Sequence, residues 1–341
     1  MSKLLFSVII PLFNAEQYIG KAIKSVTKQT YNNWEIVVVD DCSTDSSAII
    51  VQDYCKQDSR IIYHKLETNT GSAYIPRQRG AELANGQYLV ILDSDDYIEE
   101  TYLAKYAKRV ENTNADTVLG KMYLLDKDNN LSGKTIPASD FDESQILSGK
   151  DALRETVPWK IGLNGMGLKK DLFLNTLVQH EGYSKGVYGD ELFFRHCLFN
   201  SNIVVFTGAK YYYRYNTSSL VHTFSPRIFH MYDTYREVRF FFTEIFGEES
   251  QERFNAEMYM AGGINYCMQQ FLQGWKTITY KQEKEYLSKF RIWYEDINWQ
   301  ILRPTMGIKQ KLLETNGFSL YYHFKKIRYI IYKWYHFIKK S

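Results

Sequence analysis

Cysteine and proline are scarce: the 341 residues include four of the first and six of the second. Cys42, Cys55, Cys197 and Cys267 form no CxxC pair and no Cys/His spacing suited to zinc. That excludes a zinc ribbon or a disulfide scaffold and fits unpaired thiols in a reducing compartment. No run of about 18 apolar residues occurs, so no segment is expected to span a bilayer. The start, Met1 to Phe6, lacks the long apolar core and small-residue cleavage site of a secretion signal, and a cytoplasmic location is expected. Neither GxGxxG nor a P-loop follows a strand pattern, which argues against a dinucleotide dehydrogenase or an ATPase. The net charge of +3 is too small to argue for nucleic acid, and no such partner is expected.

Aromatic residues are plentiful, with 28 Tyr and 20 Phe making up most of a 16% share. That density suits carbohydrate contact or a Tyr-rich core or interface. The length suits one large domain or two moderate ones.

The first 125 residues alternate strand and helix patterns. Phe6 to Leu12 is a continuous apolar run, as in a parallel strand covered on both faces. Ala15 to Gln29 carries Tyr18, Ile19, Ala22, Ile23 and Val26 at helical spacing. Trp34 to Val39 is a second strand, and Ser43 or Thr44 is placed to cap a helix running towards Tyr54. Ile61 to His64 reads as a strand, Arg77 to Ala84 as a helix, Tyr88 to Leu92 and Ala115 to Leu125 as strands. This alternation predicts an α/β fold with a doubly wound, mostly parallel sheet, whose ligands bind beyond the carboxyl ends of the strands. From Asp126 to Glu155 the pattern loosens and reads largely as loop. It returns at Trp159 to Phe173, at Tyr188 to Phe199, and in strands at Ile203 to Phe206 and Lys210 to Arg214. Beyond Pro226 the chain reads as helical. The expected division is a catalytic domain over 1–225, with a nucleotide-binding half over about 1–125 and an acceptor-side half over about 126–225, then a helical region over 226–341.

Two acidic clusters fall at strand ends: Asp40-Asp41 and Asp93-Ser94-Asp95-Asp96. A single Asp after a strand commonly caps the next helix. Three carboxylates within four residues are costly unless a cation or donors compensate them. A DxD here offers hard oxygen ligands for Mn²⁺ or Mg²⁺ while leaving positions open for substrate phosphates.

The run Ser7-Val8-Ile9-Ile10-Pro11-Leu12-Phe13-Asn14, then Val38-Val39-Asp40-Asp41-Cys42-Ser43-Thr44-Asp45, Asn69-Thr70-Gly71, Arg77-Gln78-Arg79-Gly80 and Leu92-Asp93-Ser94-Asp95-Asp96 resembles the family 2 glycosyltransferases of GT-A fold. The five motifs stand in the family's order and cover roughly residues 5 to 215. Cys42 departs from the family's usual Gly. The resemblance implies that Pro11, Phe13 and Glu16 frame a uracil pocket and that Asp41 accepts a hydrogen bond from the base. It places Asn69 and Arg77 beside the nucleotide, Asp93 at the ribose hydroxyls, Ser94 presenting its backbone, and Asp95 on the metal. Arg79 reads as a solvated helix charge.

Inverting transfer needs a carboxylate to take the acceptor hydroxyl's proton. Tyr188-Gly189-Asp190-Glu191-Leu192-Phe193-Phe194 resembles the family's Glu-Asp-x-x-Phe, with Asp190 on the base position. Gly189 replaces the usual Glu, which leaves Glu191 as a competitor, and a helix-capping role for Asp190 is compatible with either. Within Tyr211 to His222, the resemblance puts Arg214 near the donor diphosphate, where it could pair with phosphate oxygens. His222 is a candidate metal ligand, with an ordinary histidine as the alternative. No Gln-x-x-Arg-Trp occurs, so the processive synthases fit poorly.

Asn69 to Arg77 and Ala115 to Lys121 are similar to stretches in transferases that decorate wall teichoic acid, with capsule and other surface-polysaccharide enzymes equally open. The expected partners are a UDP-sugar donor and a glycan, lipid-linked or polyol-phosphate acceptor. Acceptor choice is expected around Trp159-Lys160 and Asn164-Gly165-Met166-Gly167. The alternatives are an inactive transferase-like scaffold in an assembly complex and a sugar-phosphate nucleotidyltransferase. The latter would want a Gly-rich loop where Pro11-Leu12-Phe13-Asn14 stands. Residues 318–341 place Phe324, Ile327, Ile331, Trp334 and Ile338 on one stripe among Lys325, Lys326, Arg328, Lys333, Lys339 and Lys340, with no acidic residue. Such a helix can lie on an anionic membrane, holding the enzyme at the inner face, or pack on the protein or on a second copy in a homo-oligomer.

Overall fold

The computed structural model describes residues 3–137, 142–157, 161–179, 189–214, 224–307 and 317–338. The chain divides into two compact units, Met1–Asn216 and Thr217–Ser341.

The first unit is built on a ten-stranded sheet. Strands β1 (Phe6–Leu12) and β2 (Trp34–Asp40) are buried along their whole length, which is why their sequences are continuously apolar rather than alternating. β3 (Ile61–Lys65), β4 (Tyr88–Ile91), β5 (Tyr97–Ile98), β6 (Thr117–Leu125), β7 (Leu131–Ile136), β8 (Ile146–Leu147), β9 (Gly167–Lys169) and β10 (Val204–Tyr213) complete it. The spatial order is β3-β2-β1-β4-β9-β6-β10-β5, with β7 on β6 and β8 on β10. β1, β2, β3 and β4 are mutually parallel. β9 lies antiparallel to both β4 and β6, so β6 and its parallel neighbour β10 run the same way as β4. The parallel core expected from the sequence is therefore present, with short reversed strands filling and edging it.

Helices α1 (Ile19–Thr27), α2 (Ser47–Gln57) and α4 (Tyr102–Thr113) bury their apolar sides on one face of the sheet, against Val8, Ile10, Ile36, Val38 and Val90. Helices α3 (Tyr74–Leu83), α5 (Gly149–Arg154), α6 (Lys170–Gln179) and α7 (Gly189–Phe199) flank the other face, whose core holds Ile9, Val37, Leu89 and Ile91 with Ala81, Ala152, Phe173 and Phe193. α3 sits close because Gly80 has no side chain: a Cβ there would run into Ile9.

Several sequence expectations change. The helix after β2 is not capped by Ser43 or Thr44. Ser43 Oγ instead accepts the Asn14 N–H at 3.0 Å, and Asp45 Oδ1 accepts the Ser47 N–H at 3.0 Å. The stretch 126–155 has no regular element over much of its length, as expected, but it also carries β7, β8 and α5. β7 and β8 are half-exposed edge strands with little apolar alternation to reveal them. Ile203 to Phe206 and Lys210 to Arg214 are not separate strands: β10 runs through both, with its register shifted between Phe206 and Lys210.

The second unit is helical over its described residues: α8 (His230–Phe246), α9 (Gln251–Gly274), α10 (Tyr280–Asp296), α11 (Trp299–Leu302) and α12 (Phe318–Ile338). Tyr235, Phe271, Phe290 and Trp293 are buried in its core. Glu257, fully buried, is compensated by Arg239, Arg253 and the Asn298 N–H, as a charge without water must be. Tyr321 and Tyr322 of α12 are buried, and Lys326 reaches Glu283 and the Trp275 ring. No helix among the described residues is long and apolar enough to cross a membrane.

Candidate active site

The sheet opens where β1 and β4 part. Their pairing ends at Ile9 and Ile91, and the last bond between them runs from Leu92 N–H to the Ile9 carbonyl. Pro11, two residues on, faces the same side, so its missing N–H falls where no β4 partner remains. Beyond this point β4 gives way to the Asp93–Asp96 loop.

Two carboxylates line the resulting cleft, and one cation joins them. Arg77, buried on α3, donates through Nη2 to Asp93 Oδ1 at 2.7 Å and through Nη1 to Asp190 Oδ2. Burial works against the Arg77 charge, but Asp93 and Asp190 more than offset it, holding its pKa above the ordinary arginine value. Asp93 Oδ2 accepts from Asn164 Nδ2 at 3.1 Å. Asp190 stands in the first turn of α7, where its Oδ1 accepts the Glu191 N–H at 3.0 Å. Ile91, Leu163 and Phe194 form the apolar wall of the cleft.

Glu191, the sequence competitor for the base, also borders the cleft, but its Oε1 is paired with Nη1 of the fully buried Arg195 at 2.7 Å. Arg195 in turn contacts Thr156. Glu191 therefore neutralises a buried charge, whereas Asp190 is the less covered of the two, with a side chain 30% exposed against 12%.

The acidic loop is tied down by Tyr211, whose hydroxyl donates to Asp96 Oδ2 at 2.7 Å and accepts the Asp93 N–H at 3.3 Å. Asp96 Oδ1 accepts the Arg214 N–H at 2.8 Å. Burial, then the neighbouring Asp95 and Asp93 charges, push the Asp96 carboxyl well above the usual carboxylate range. Asp93 and Asp96 thus commit all four of their oxygens to protein donors. Asp95 is half-buried beside them. Among the described residues no group of three or more His, Cys, Asp or Glu side chains converges on a metal position.

At the turn after β2, Asp41 Oδ1 accepts the Thr70 N–H at 2.7 Å while Asn69 Nδ2 donates to the Asp41 carbonyl at 2.7 Å. Glu16 Oε2 accepts the Ser46 N–H at 2.8 Å, and Phe13 is half exposed beside it in sequence. Cys42 has φ of +63°, the left-handed region that favours glycine. The Arg214 guanidinium is buried, lies 4.7 Å from the Tyr18 ring centroid, and forms no ion pair among the described residues. His222, Trp159 and Lys160 lie outside the described residues. Arg79 pairs with Glu82 at the surface, as a solvated helix charge would.

Sequence reading placed Asn164 only in an acceptor-side region and gave Tyr102, Tyr106 and Tyr211 no role at the site. Tyr102 and Tyr106 hydroxyls both donate to the Gly165 carbonyl, at 2.5 and 2.8 Å, and so fix the turn that presents Asn164. Gly165 has φ of +72°, and the space its Cβ would fill is taken by Tyr211 and Tyr102.

The glycosyl transferase family 2 model matches residues 7–172, a span that holds β1, the Asp40–Asp41 turn, Arg77 and the acidic loop. Glycosyltransferase GlyG of Streptococcus pneumoniae serotype 4 is 30% identical over 226 residues, covering 64% of this chain and 73% of GlyG. The chain belongs to glycosyl transferase family 2. It is a glycosyltransferase. The poly(ribitol-phosphate) beta-N-acetylglucosaminyltransferase TarS of Staphylococcus aureus is 31% identical over 214 residues, which are 61% of this chain and 35% of TarS. The putative teichuronic acid biosynthesis glycosyltransferase TuaG of Bacillus subtilis is 36% identical over 155 residues, 46% of this chain and 59% of TuaG. The crystal structure of TarS residues 1–349 with UDP-GlcNAc superposes with a TM-score of 0.61 at 18% identity, over 96% of this chain and 89% of that one. That likeness establishes the GT-A fold of this family member.

Proposed function

We propose that the chain transfers a hexosyl or N-acetylhexosaminyl group from a UDP-sugar to a hydroxyl of a cell-surface glycan or its precursor, with inversion at the anomeric carbon. The observation that carries this reading is the Arg77 bridge, which holds Asp93 and Asp190 on two sides of one cleft at the carboxyl end of the sheet. The names and identities of TarS and TuaG support the surface-glycan class.

In this reading Asp190 is the general base. Its carboxylate accepts the acceptor hydroxyl's proton as that oxygen bonds to the anomeric carbon and the bond from that carbon to the diphosphate breaks. Arg77 is a positioning residue that sets the base relative to Asp93. Asp93 and the Ser94 backbone meet the donor, and Pro11, Phe13, Glu16, Asp41 and Asn69 hold its uridine. Arg214, a buried guanidinium without a carboxylate partner among the described residues, takes phosphate oxygens of the departing UDP. A divalent cation, Mn²⁺ or Mg²⁺, held by Asp95 would offset the charge that grows on the diphosphate.

α12 adds a membrane contact in the same reading. Ile327, Ile330 and Ile331 are half or more exposed on a segment whose charges are all basic, which suits an anionic lipid surface.

UDP release assayed over a panel of UDP-sugars with and without a surface-glycan acceptor, in Mn²⁺ and then in chelator, tests the assignment. Release that requires acceptor and metal, and is lost in Asp95→Ala with the fold retained, is expected. No release with any UDP-sugar would overturn it.

A further inference from the structure

The edge of the sheet carries an unusual face. β5 pairs with β10 so that Tyr97 lies opposite Tyr212, and β10 pairs with β6 so that Tyr212 lies opposite Tyr123. The Tyr97 and Tyr212 rings are stacked with centroids 4.7 Å apart, and Tyr212 and Tyr123 follow at 5.9 Å. The alternate residues Ile98, Tyr211 and Met122 point into the core, so the tyrosine row faces outward, half-exposed. Two residues back along the same face, Lys210 lies opposite Lys121, with both ammonium groups over the Tyr123 ring. Lys21 of α1 sits 3.7 Å above the Tyr97 centroid, and Arg214 5.8 Å from it.

Like charges directly opposite one another on neighbouring strands destabilise a sheet. Glu99 does not neutralise Lys210: its carboxylate takes Lys105 Nζ at 2.6 Å and the Lys210 backbone N–H at 2.9 Å. Among the described residues Lys21, Lys210 and Arg214 form no ion pair. Burial, and then the Arg214 charge, lower the Lys21 pKa, as expected where cations gather. The face also runs into the catalytic loop, because the Arg214 N–H holds Asp96.

We propose that this tyrosine–lysine face of β5, β10 and β6 binds the acceptor as a phosphodiester-linked chain of polyols or sugars. The ring faces take the C–H surfaces of the polyol or sugar units, and Lys21 and Lys210 take the phosphates between them. The inference rests on the transferase reading and narrows its acceptor to an anionic polymer.

Calorimetric titration of the full chain with a synthetic glycerol-phosphate oligomer tests it, with dextran of similar length, inorganic phosphate, phosphatidylglycerol vesicles and UDP as comparisons. The oligomer is expected to bind at low salt, roughly tenfold or more tighter than dextran or phosphate, and to weaken as salt rises. Lys21→Gln/Lys210→Gln should lose roughly tenfold of that affinity, keep its melting temperature, and bind UDP as before. Tyr123→Leu should weaken the oligomer without changing UDP. Equal binding of the oligomer by the double variant, or equal binding of dextran by the wild type, would overturn the proposal. So would vesicle binding that depends on these lysines when the oligomer does not bind. Should the double variant melt early, Lys210→Gln alone serves the same comparison. A chain that binds the oligomer through these lysines but fails to bind UDP would sink the donor reading and leave this face standing.

Discussion

Asp93 and Asp190 share one guanidinium, that of Arg77, although they come from a strand end and from the first turn of a helix on the far side of the cleft. If either carboxylate shifts, it stretches its own ion pair or draws Arg77 away from the other. A donor that presses on Asp93 therefore acts on the residue we assign as base.

Arg77→Lys tests that coupling. A lysine offers a point charge where the guanidinium offers separate edges to two acids, so it can serve one of them well. We expect kcat to fall by about 10²-fold, because misplacement of about 1 Å at a reacting group costs that much, while UDP affinity changes little. Arg77→Ala should also destabilise the fold by about 3 kcal/mol, the scale for breaking a buried pair. A Lys variant with wild-type kcat would remove the strut role.

Asp190 and Glu191 separate by a pair of isosteric changes. Asp190→Asn should keep donor binding and lose transfer by about 10²–10⁴-fold, as loss of a general base does. Glu191→Gln should instead lower the melting temperature, since it removes the charge paired with the Nη1 of the buried Arg195. A dead Glu191→Gln of normal stability, beside an active Asp190→Asn, would exchange the two roles.

Much of this site is legible in the sequence because its parts are local. A strand end with three acids in four residues and an apolar run broken by Pro11 are short-range signals, and the structure sets both at one opening. Asn164 and the tyrosines that fix it are not local: Tyr102 and Tyr106 reach Gly165 from 63 and 59 residues away in the chain, and their hydroxyls look like any helix-borne tyrosine in a Tyr-rich chain. Pairing between strands is equally hidden. The alternation Lys210, Tyr212, Arg214 is visible, but that Tyr97 and Tyr123 lie on either side of Tyr212 depends on β10 standing between β5 and β6. β7 and β8 escape for a different reason, since exposed edge strands need little hydrophobic pattern.

The membrane contact is tested by substitution rather than truncation, because removing α12 would take the buried Tyr321 and Tyr322 with it. Ile327→Ser/Ile330→Ser/Ile331→Ser should lower co-sedimentation with anionic vesicles roughly tenfold or more, given about 0.8 kcal/mol per buried methylene lost. Activity on a soluble acceptor should persist. Arg328, whose guanidinium lies 5.5 Å from the Phe324 ring centroid, can add about 1 kcal/mol at such a surface, whereas Lys326 is engaged by Glu283 and Trp275. Wild-type protein that ignores vesicles at low salt would show that this helix face serves something else.

Cys42 stands where the family resemblance would put Gly, and its backbone conformation bears on what that exchange costs. Its φ of +63° lies in the left-handed region, where a side chain crowds its own carbonyl by about 1–2 kcal/mol. The adjacent Asp41 side chain and carbonyl are held by Thr70 and Asn69, so the turn cannot relax without disturbing those bonds. One compensation is present: Cys42 Sγ donates to the Leu66 carbonyl at 3.1 Å. Cys42→Gly removes the crowding but gives up that weak bond and adds freedom to the unfolded chain, worth about 0.5–1 kcal/mol against it. The balance favours glycine by about 0.5 kcal/mol, enough to raise the urea midpoint measurably, with UDP affinity unchanged. Cys42→Val should move the midpoint the other way, because a β-branched residue tolerates this backbone least. A glycine variant less stable than the wild type would mean that the thiol's hold on Leu66 outweighs the strain, and that the cysteine is a clasp between β2 and the segment after β3.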